Sequence, residues 1–114
     1  MISKWEIWLA NLDPVIGSEQ GKTRPVLIIS NQDVNDLLNV VNVLPITSKK
    51  SGRIIYPNEV LIESGKFGLK KDSIILIQQI RTLDKNRIIR KIGAVDDFNL
   101  KQKVIEALRF QLFE

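Results

Sequence analysis

From Trp5 to Gly93 this chain alternates short, β-branched apolar stretches with turn residues, and only beyond Asp96 does the apolar period lengthen to that of a helix. A core assembled from such pieces needs several short strands with a helix laid against them. Trp5 to Leu12 reads as a first strand, with Ile7 and Leu9 on one face and Glu6 and Trp8 on the other, ended by Asp13-Pro14. Pro25 to Ser30 is a second, and Val26 to Ile29 are apolar on both faces and therefore buried. Asn31 suits the N-cap of a short helix, Asp33 to Leu38, whose Val34, Leu37 and Leu38 have i, i+3, i+4 spacing. Val40 to Thr47 returns as a strand, with Pro45 marking an edge or a bulge. Ile54 to Tyr56 and Glu59 to Glu63 read as strand pieces split by Pro57. Ser73 to Ile77 is a buried strand that runs on through Gln78, Gln79, Ile80, Arg81 and Thr82 as it leaves the core, and Arg87 to Gly93 is the last. Leu100, Val104, Ala107, Leu108 and Leu112 then fall on one stripe of a C-terminal amphipathic helix capped by Asp96 or Asp97. The expectation is a single, mostly β, barrel-like domain over residues 1–114.

Composition narrows the chemistry more than the fold. The 114 residues include no cysteine and no histidine, which removes disulfides, thiol catalysis, zinc-thiolate sites and the commonest general acid/base. The Asp and Glu residues show no metal-site spacing, so no metal and no cofactor is expected. Apolar runs are too short to span a membrane, and MISKWEIWLA lacks a basic start followed by an apolar signal core, so a soluble, cytoplasmic protein with no membrane partner is expected. The net charge of +4, with pI near 9.5, is mildly basic and indecisive by itself. Its distribution says more: Lys49, Lys50 and Arg53 share one loop, Lys66, Lys70 and Lys71 another, and Arg81, Lys85, Arg87, Arg90 and Lys91 follow.

The densest chemistry lies in GSEQGKTRPVLIIS, Gly17 to Ser30. Gly17 and Gly21 permit positive φ, so the loop between them folds back and presents Ser18, Glu19 and Gln20 together. Pro25 pushes Arg24 toward an extended conformation and sets its guanidinium at the mouth of a strand. An always-charged, five-donor fork on a rigid element beside a polar loop is suited to holding a phosphate. Thr47 ends another strand, and Gln79 and Arg81 share a face one extended step apart. Taken singly, each has an ordinary alternative: an arginine paired with a surface carboxylate, a β-forming threonine, polar groups that merely face water. Trp5, Trp8, Tyr56 and Phe67 can stack bases, although core packing is the default use of aromatics.

EIWLANLDPVIGSEQGKTRPVLIIS, PITS, DSIILIQQIRTLDKNRI and the helical tail resemble, in order and over nearly the whole chain, the MazF/PemK family of toxin endoribonucleases. The resemblance implies an SH3-like β-barrel and a homodimer. It also implies metal-independent, sequence-specific cleavage of single-stranded RNA, and neutralisation by an antitoxin whose acidic tail fills the RNA groove. By position, the family's catalytic arginine and threonine fall on Arg24 and Thr47, and its RNA-binding loop on Ser18, Glu19 and Gln20. The QIRT strand contributes Gln79 and Arg81. One departure is visible: many members carry glycine before the acidic residue of the first strand, where this chain has Trp5 before Glu6. That bears on the dimer surface or the bases accepted, and leaves Arg24 and Thr47 untouched.

Residues and resemblance agree on mechanism. RNA carries its own nucleophile, the 2′-hydroxyl, so a chain without histidine, cysteine or metal can cleave it by aligning the backbone and stabilising charge on the phosphorane. Arg24 would clamp the scissile phosphate and protonate the leaving 5′-oxygen, with the Thr47 hydroxyl on a non-bridging oxygen. Glu19 is the nearest carboxylate in sequence, and no base is assigned. Two alternatives stay open: a barrel toxin that poisons a protein through its C-terminal helix, as CcdB-like gyrase inhibitors do, and a non-catalytic RNA-binding or adaptor barrel.

Overall fold

A computed structural model describes residues 1–114. Seven antiparallel strands, β1 (Glu6–Asn11), β2 (Thr23–Ile28), β3 (Val40–Ser48), β4 (Glu59–Ile62), β5 (Ser73–Leu76), β6 (Arg81–Asp84) and β7 (Ile88–Ala94), are joined by a short helix α1 (Gln32–Leu37) and closed by α2 (Phe98–Phe113). The sheet order is β4-β5-β3-β2-β1-β7, with β6 also on β3. The long strand β3 is the axis of the fold. One edge pairs with β2; the other pairs with β6 through Val43 and with β5 from Ile46. Pro45 sits in that change of partner, where the ladder on this edge is already interrupted, so a proline is accommodated in a central strand.

Because β2 and β3 are covered on both sides, their residues divide between two cores. Leu27, Leu44 and Ile46 pack with Ile7, Ile75, Val95 and the Leu100, Val104 and Ala107 stripe of α2. Val26, Ile28, Val41 and Val43 pack with Ala10, Leu12 and Leu83 on the opposite face. Each fully buried aliphatic chain contributes about 1.5–3 kcal/mol, so truncating Leu27 or Ile28 damages one core without exposing the other. The α2 N-cap is Asp97, whose side chain accepts from the Leu100 N–H.

Four local expectations are revised. Ile54 to Tyr56 form no strand, and Ile54 and Tyr56 are exposed. The strand from Ser73 is broken by a 3-10 turn at Ile77–Gln79, where the Ile77 N–H donates to Asn58 O (3.2 Å) instead of continuing the ladder. Helix α1 does form behind the Asn31 cap, yet Leu37 and Leu38 are 81% and 48% exposed. Its buried side is polar: Ser30 Oγ donates to Asn35 Oδ1, and Asn35 Nδ2 donates to Ser30 O (3.1 Å). In β1, register shifts against β7 break the simple alternation, so Ile7 and Ala10 are buried while Leu9 is only half-buried.

Trp5, the position at which the sequence departs from the pattern it resembles, has φ +73°, the left-handed region in which glycine is least strained. Compensation comes from its surroundings. Its N–H donates to Ile28 O and its carbonyl accepts from Val95 N–H, both at 2.8 Å, and its ring centre lies 5.7 Å from the Lys4 and 5.5 Å from the Lys101 ammonium group.

Candidate active-site cleft

Arg24 is the second residue of β2, held extended by Pro25 as its sequence requires. Its Nε donates to Gly21 O (2.9 Å), which fixes the plane of the guanidinium and leaves both terminal nitrogens without a protein partner. The chain's two salt bridges, Arg53–Glu59 and Lys91–Glu6, do not involve it. Thr47 lies near the end of β3. The β2–β3 ladder ends at Val26 and Pro45, beyond which Arg24 pairs with Ala10 of β1 and Thr47 with Ile74 of β5. Both line one cleft of about 510 Å³ at the ends of β2 and β3, and no Asp or Glu lines it. The other lining cations are Lys70, Lys71 and Arg90.

The loop from Leu12 to Lys22 forms the neighbouring wall, and its conformation is set differently from the sequence expectation. Gly17 does take positive φ (+57°), but at the other end of the loop the left-handed residue is Lys22 (+63°). Gly21 is needed for closeness: a Cβ there would fall 2.6 Å from Asp13 Oδ1 and 2.7 Å from Val15 Cγ2. Asp13 Oδ1 in turn accepts from the Lys22 N–H at 2.8 Å.

Gln79 and Arg81 fasten this loop. Gln79 Nε2 donates to Ser18 O (3.2 Å) while its Oε1 accepts from the Gln20 N–H (3.3 Å); Arg81 Nη1 donates to Leu12 O (3.0 Å). Arg87 Nη1 donates to Asn11 O and Asp13 O. Ser18, Gln20, Gln79 and Thr47 share a groove beside the main cleft. The buried Gln20 Oε1 has no partner. Glu19 stands apart: its carboxylate accepts from the Ile16 N–H (2.7 Å), and it shares a third groove with Ser18, Gln79 and Arg81. The seven residues singled out in the sequence thus form a continuous rim, with Arg24 and Thr47 brought together and Glu19 away from them.

Sequence reasoning passed over Lys70, Lys71 and Arg90 as individual site residues. Their charge was visible, but their convergence depends on β7 lying beside β1, where Arg90 is in register with Leu9. A second arginine in reach of the rim, Arg53, is fully engaged. Its terminal nitrogens meet the Glu59 carboxylate at 2.8 and 2.7 Å, and Glu59 also accepts from Tyr56 N–H (3.1 Å) and Gln78 Nε2 (3.2 Å). The Arg53 hydrogen bonds, helped by those of Tyr56 and Gln78, hold the Glu59 carboxyl below its ordinary range although burial pushes the other way.

The model of the PemK-like, MazF-like toxin of type II toxin-antitoxin systems matches residues 3–112. The chain belongs to this family. It is 37% identical over 112 residues to Endoribonuclease EndoA of Bacillus subtilis, covering 98% of this chain and 95% of the relative. It is 45% identical over 102 residues to Endoribonuclease MazF of Staphylococcus saprophyticus, covering 90% and 84% respectively. Among solved structures, Mycobacterium tuberculosis toxin MazF-mt6 superposes with a TM-score of 0.76 at 27% identity, covering 93% of this chain and 94% of that one. The mostly β, SH3-like fold expected from the family resemblance is therefore borne out. No helix is long and apolar enough to cross a membrane.

Proposed function

We propose that this family member is a metal-independent, sequence-specific endoribonuclease. It cuts single-stranded RNA in the Arg24–Thr47 cleft and so halts translation. The observation that carries this reading is an oriented guanidinium with both terminal nitrogens free, lining the same cleft as the Thr47 side chain, with no carboxylate in that lining. Arg24 grips the non-bridging oxygens of the scissile phosphate, and the Thr47 hydroxyl donates to one of them. The 2′-oxygen forms a bond to phosphorus, the bond from phosphorus to the 5′-oxygen breaks, and the 5′-oxygen takes a proton from the Arg24 guanidinium, which regains one from water. The products are a 2′,3′-cyclic phosphate and a 5′-hydroxyl. With Glu19 in a separate groove, the 2′-hydroxyl proton passes to solvent.

Ser18, Glu19 and Gln20 bind and orient the strand, and Gln20 Oε1 is a ready acceptor for a base amino group. Gln79 and Arg81 act at the same rim chiefly by holding the loop that presents them. The protein works as a cytoplasmic homodimer, silenced by a cognate antitoxin whose acidic tail complements the cationic cleft. The deciding experiment is incubation with a long single-stranded RNA in excess EDTA, with cut sites and end chemistry mapped. Discrete cuts with cyclic-phosphate ends are expected; RNA left whole, or cleavage restored only by added metal, overturns the reading.

A further inference from the structure

Lys70, Lys71 and Arg90 extend the cleft beyond the two groups that the bond-breaking step uses. They come from separate elements, the loop between β4 and β5 and the strand β7, and neither of the chain's salt bridges neutralises any of them. With Arg24 they make four cations around one concavity that has no acidic side chain in its lining. Like charges gathered this closely repel, and the repulsion is relieved when an anion enters.

The arrangement is built rather than a loose run of surface lysines. A Cβ on Gly68 would lie 2.4 Å from Ile92 O, and one on Gly93 would lie 2.1 Å from Phe67 O, so the loop and β7 meet backbone to backbone. Leu69 is anchored in the core beside them. Gly65 N–H donates to Leu69 O (2.7 Å) and Lys49 N–H to Asp72 O (2.7 Å), while Asp72 Oδ1 accepts from Ser64 N–H (2.8 Å). The nearest carboxylate in sequence is thus occupied with its own loop, and the two lysines stand on a fixed base next to Arg90.

We propose that Lys70, Lys71 and Arg90 form a second phosphate subsite that holds linkages flanking the scissile one on the same RNA strand. This rests on the RNA-cleaving reading above. The subsite grips ground state and transition state alike, so it governs KM and leaves kcat to Arg24 and Thr47. Phosphate contacts carry no base information, so the cut sequence is unaffected.

The test uses a single-stranded RNA oligonucleotide with one cut site, the wild type, the double variant Lys70→Gln/Lys71→Gln, and Arg90→Gln, across a salt series. These side chains are exposed, and thermal melting verifies that the variants fold. KM should rise roughly tenfold in the double variant with kcat and cut site unchanged. The slope of log kcat/KM against log salt should become shallower by about 0.7 for each phosphate that the variant no longer neutralises. A neutral methylphosphonate at the linkage the subsite holds should weaken the wild type and leave the double variant little changed. If the wild type cuts and the variants keep its KM and salt slope, the subsite is refuted while the nuclease reading stands. A fall in kcat at constant KM refutes it equally. If the wild type leaves the oligonucleotide whole, the nuclease reading fails; the salt slope of binding then judges the subsite alone, and equal slopes for wild type and variants refute it.

Discussion

Arg24 and Arg53 line two separate grooves that share Thr47, and their circumstances are inverted. Arg53 has both terminal nitrogens on Glu59, stacks its guanidinium 5.5 Å from the Tyr56 ring centre, and closes the loop before β4. Arg24 is held only through Nε, by a backbone carbonyl in the adjoining turn. One fork is satisfied, and the other is aimed and left open. A guanidinium completed by a carboxylate stabilises a fold; one oriented by its inner nitrogen alone is prepared for an oxyanion from outside.

The sharpest way to break this contrast is to remove each arm in turn. Arg24→Ala should lower the cleavage rate roughly 10²- to 10³-fold, the usual effect of losing a preorganised donor, with melting temperature nearly unchanged. A variant that cuts at wild-type rate removes Arg24 from the chemistry. Glu59→Ala should behave in the opposite sense, lowering stability by roughly 2–3 kcal/mol in chemical denaturation while the folded fraction keeps its kcat. That figure lies below the cost for fully buried pairs because the Arg53 side chain remains one-third exposed.

Acid should separate the two arms as well. Glu59 has its carboxyl held below the ordinary value near 4.5, as does Glu6, where burial is outweighed by the bonds from Lys91, Ser3 and Trp8. Their stabilisation is complete above the unfolded-state value and is lost as pH falls from there through the lower folded-state values. Glu59→Gln should flatten that acid limb of the stability curve; a limb identical to wild type contradicts the assignment. The cleavage rate should instead rise with pH at a slope of about one in logarithmic units through neutrality, with no carboxylate inflection, since no acidic group lines the cleft. Smallest of all, Gln79→Ala removes two loop bonds of roughly 1 kcal/mol each, so KM should rise a few fold with kcat held. Loss of kcat without a change in KM would move Gln79 from positioning into the chemistry.

What the sequence disclosed follows from how local each cause is. Pro25 acts on its immediate neighbour, so the extended Arg24 was legible, and the two-sided burial of Val26, Leu27 and Ile28 followed from their unbroken apolar run. The family motifs pointed to Thr47 beside Arg24, and the two residues line one cleft. Features that depend on distant partners stayed hidden. The outward turn of Leu37 and Leu38 reflects the Ser30–Asn35 pair beneath α1, and the break at Ile77 reflects the Asn58 carbonyl. Gly21 was expected to supply positive φ, because its nearness to Asp13 and Val15 cannot be read from residue type. Arg90 looked like ordinary surface charge until β7 brought it beside β1.

The many partners of β3 also govern when this toxin ripens. A nascent chain that has reached Ile62 already carries Arg24 and Thr47, but β5 and β6 do not yet flank β3, and Leu83, Val95 and the α2 stripe are missing from the two cores. Contacts so distant in sequence form late. The cleft is therefore complete only once the last strand and helix have packed, and a polypeptide that has reached no further than Ile62 carries both residues without the layers that hold them in place.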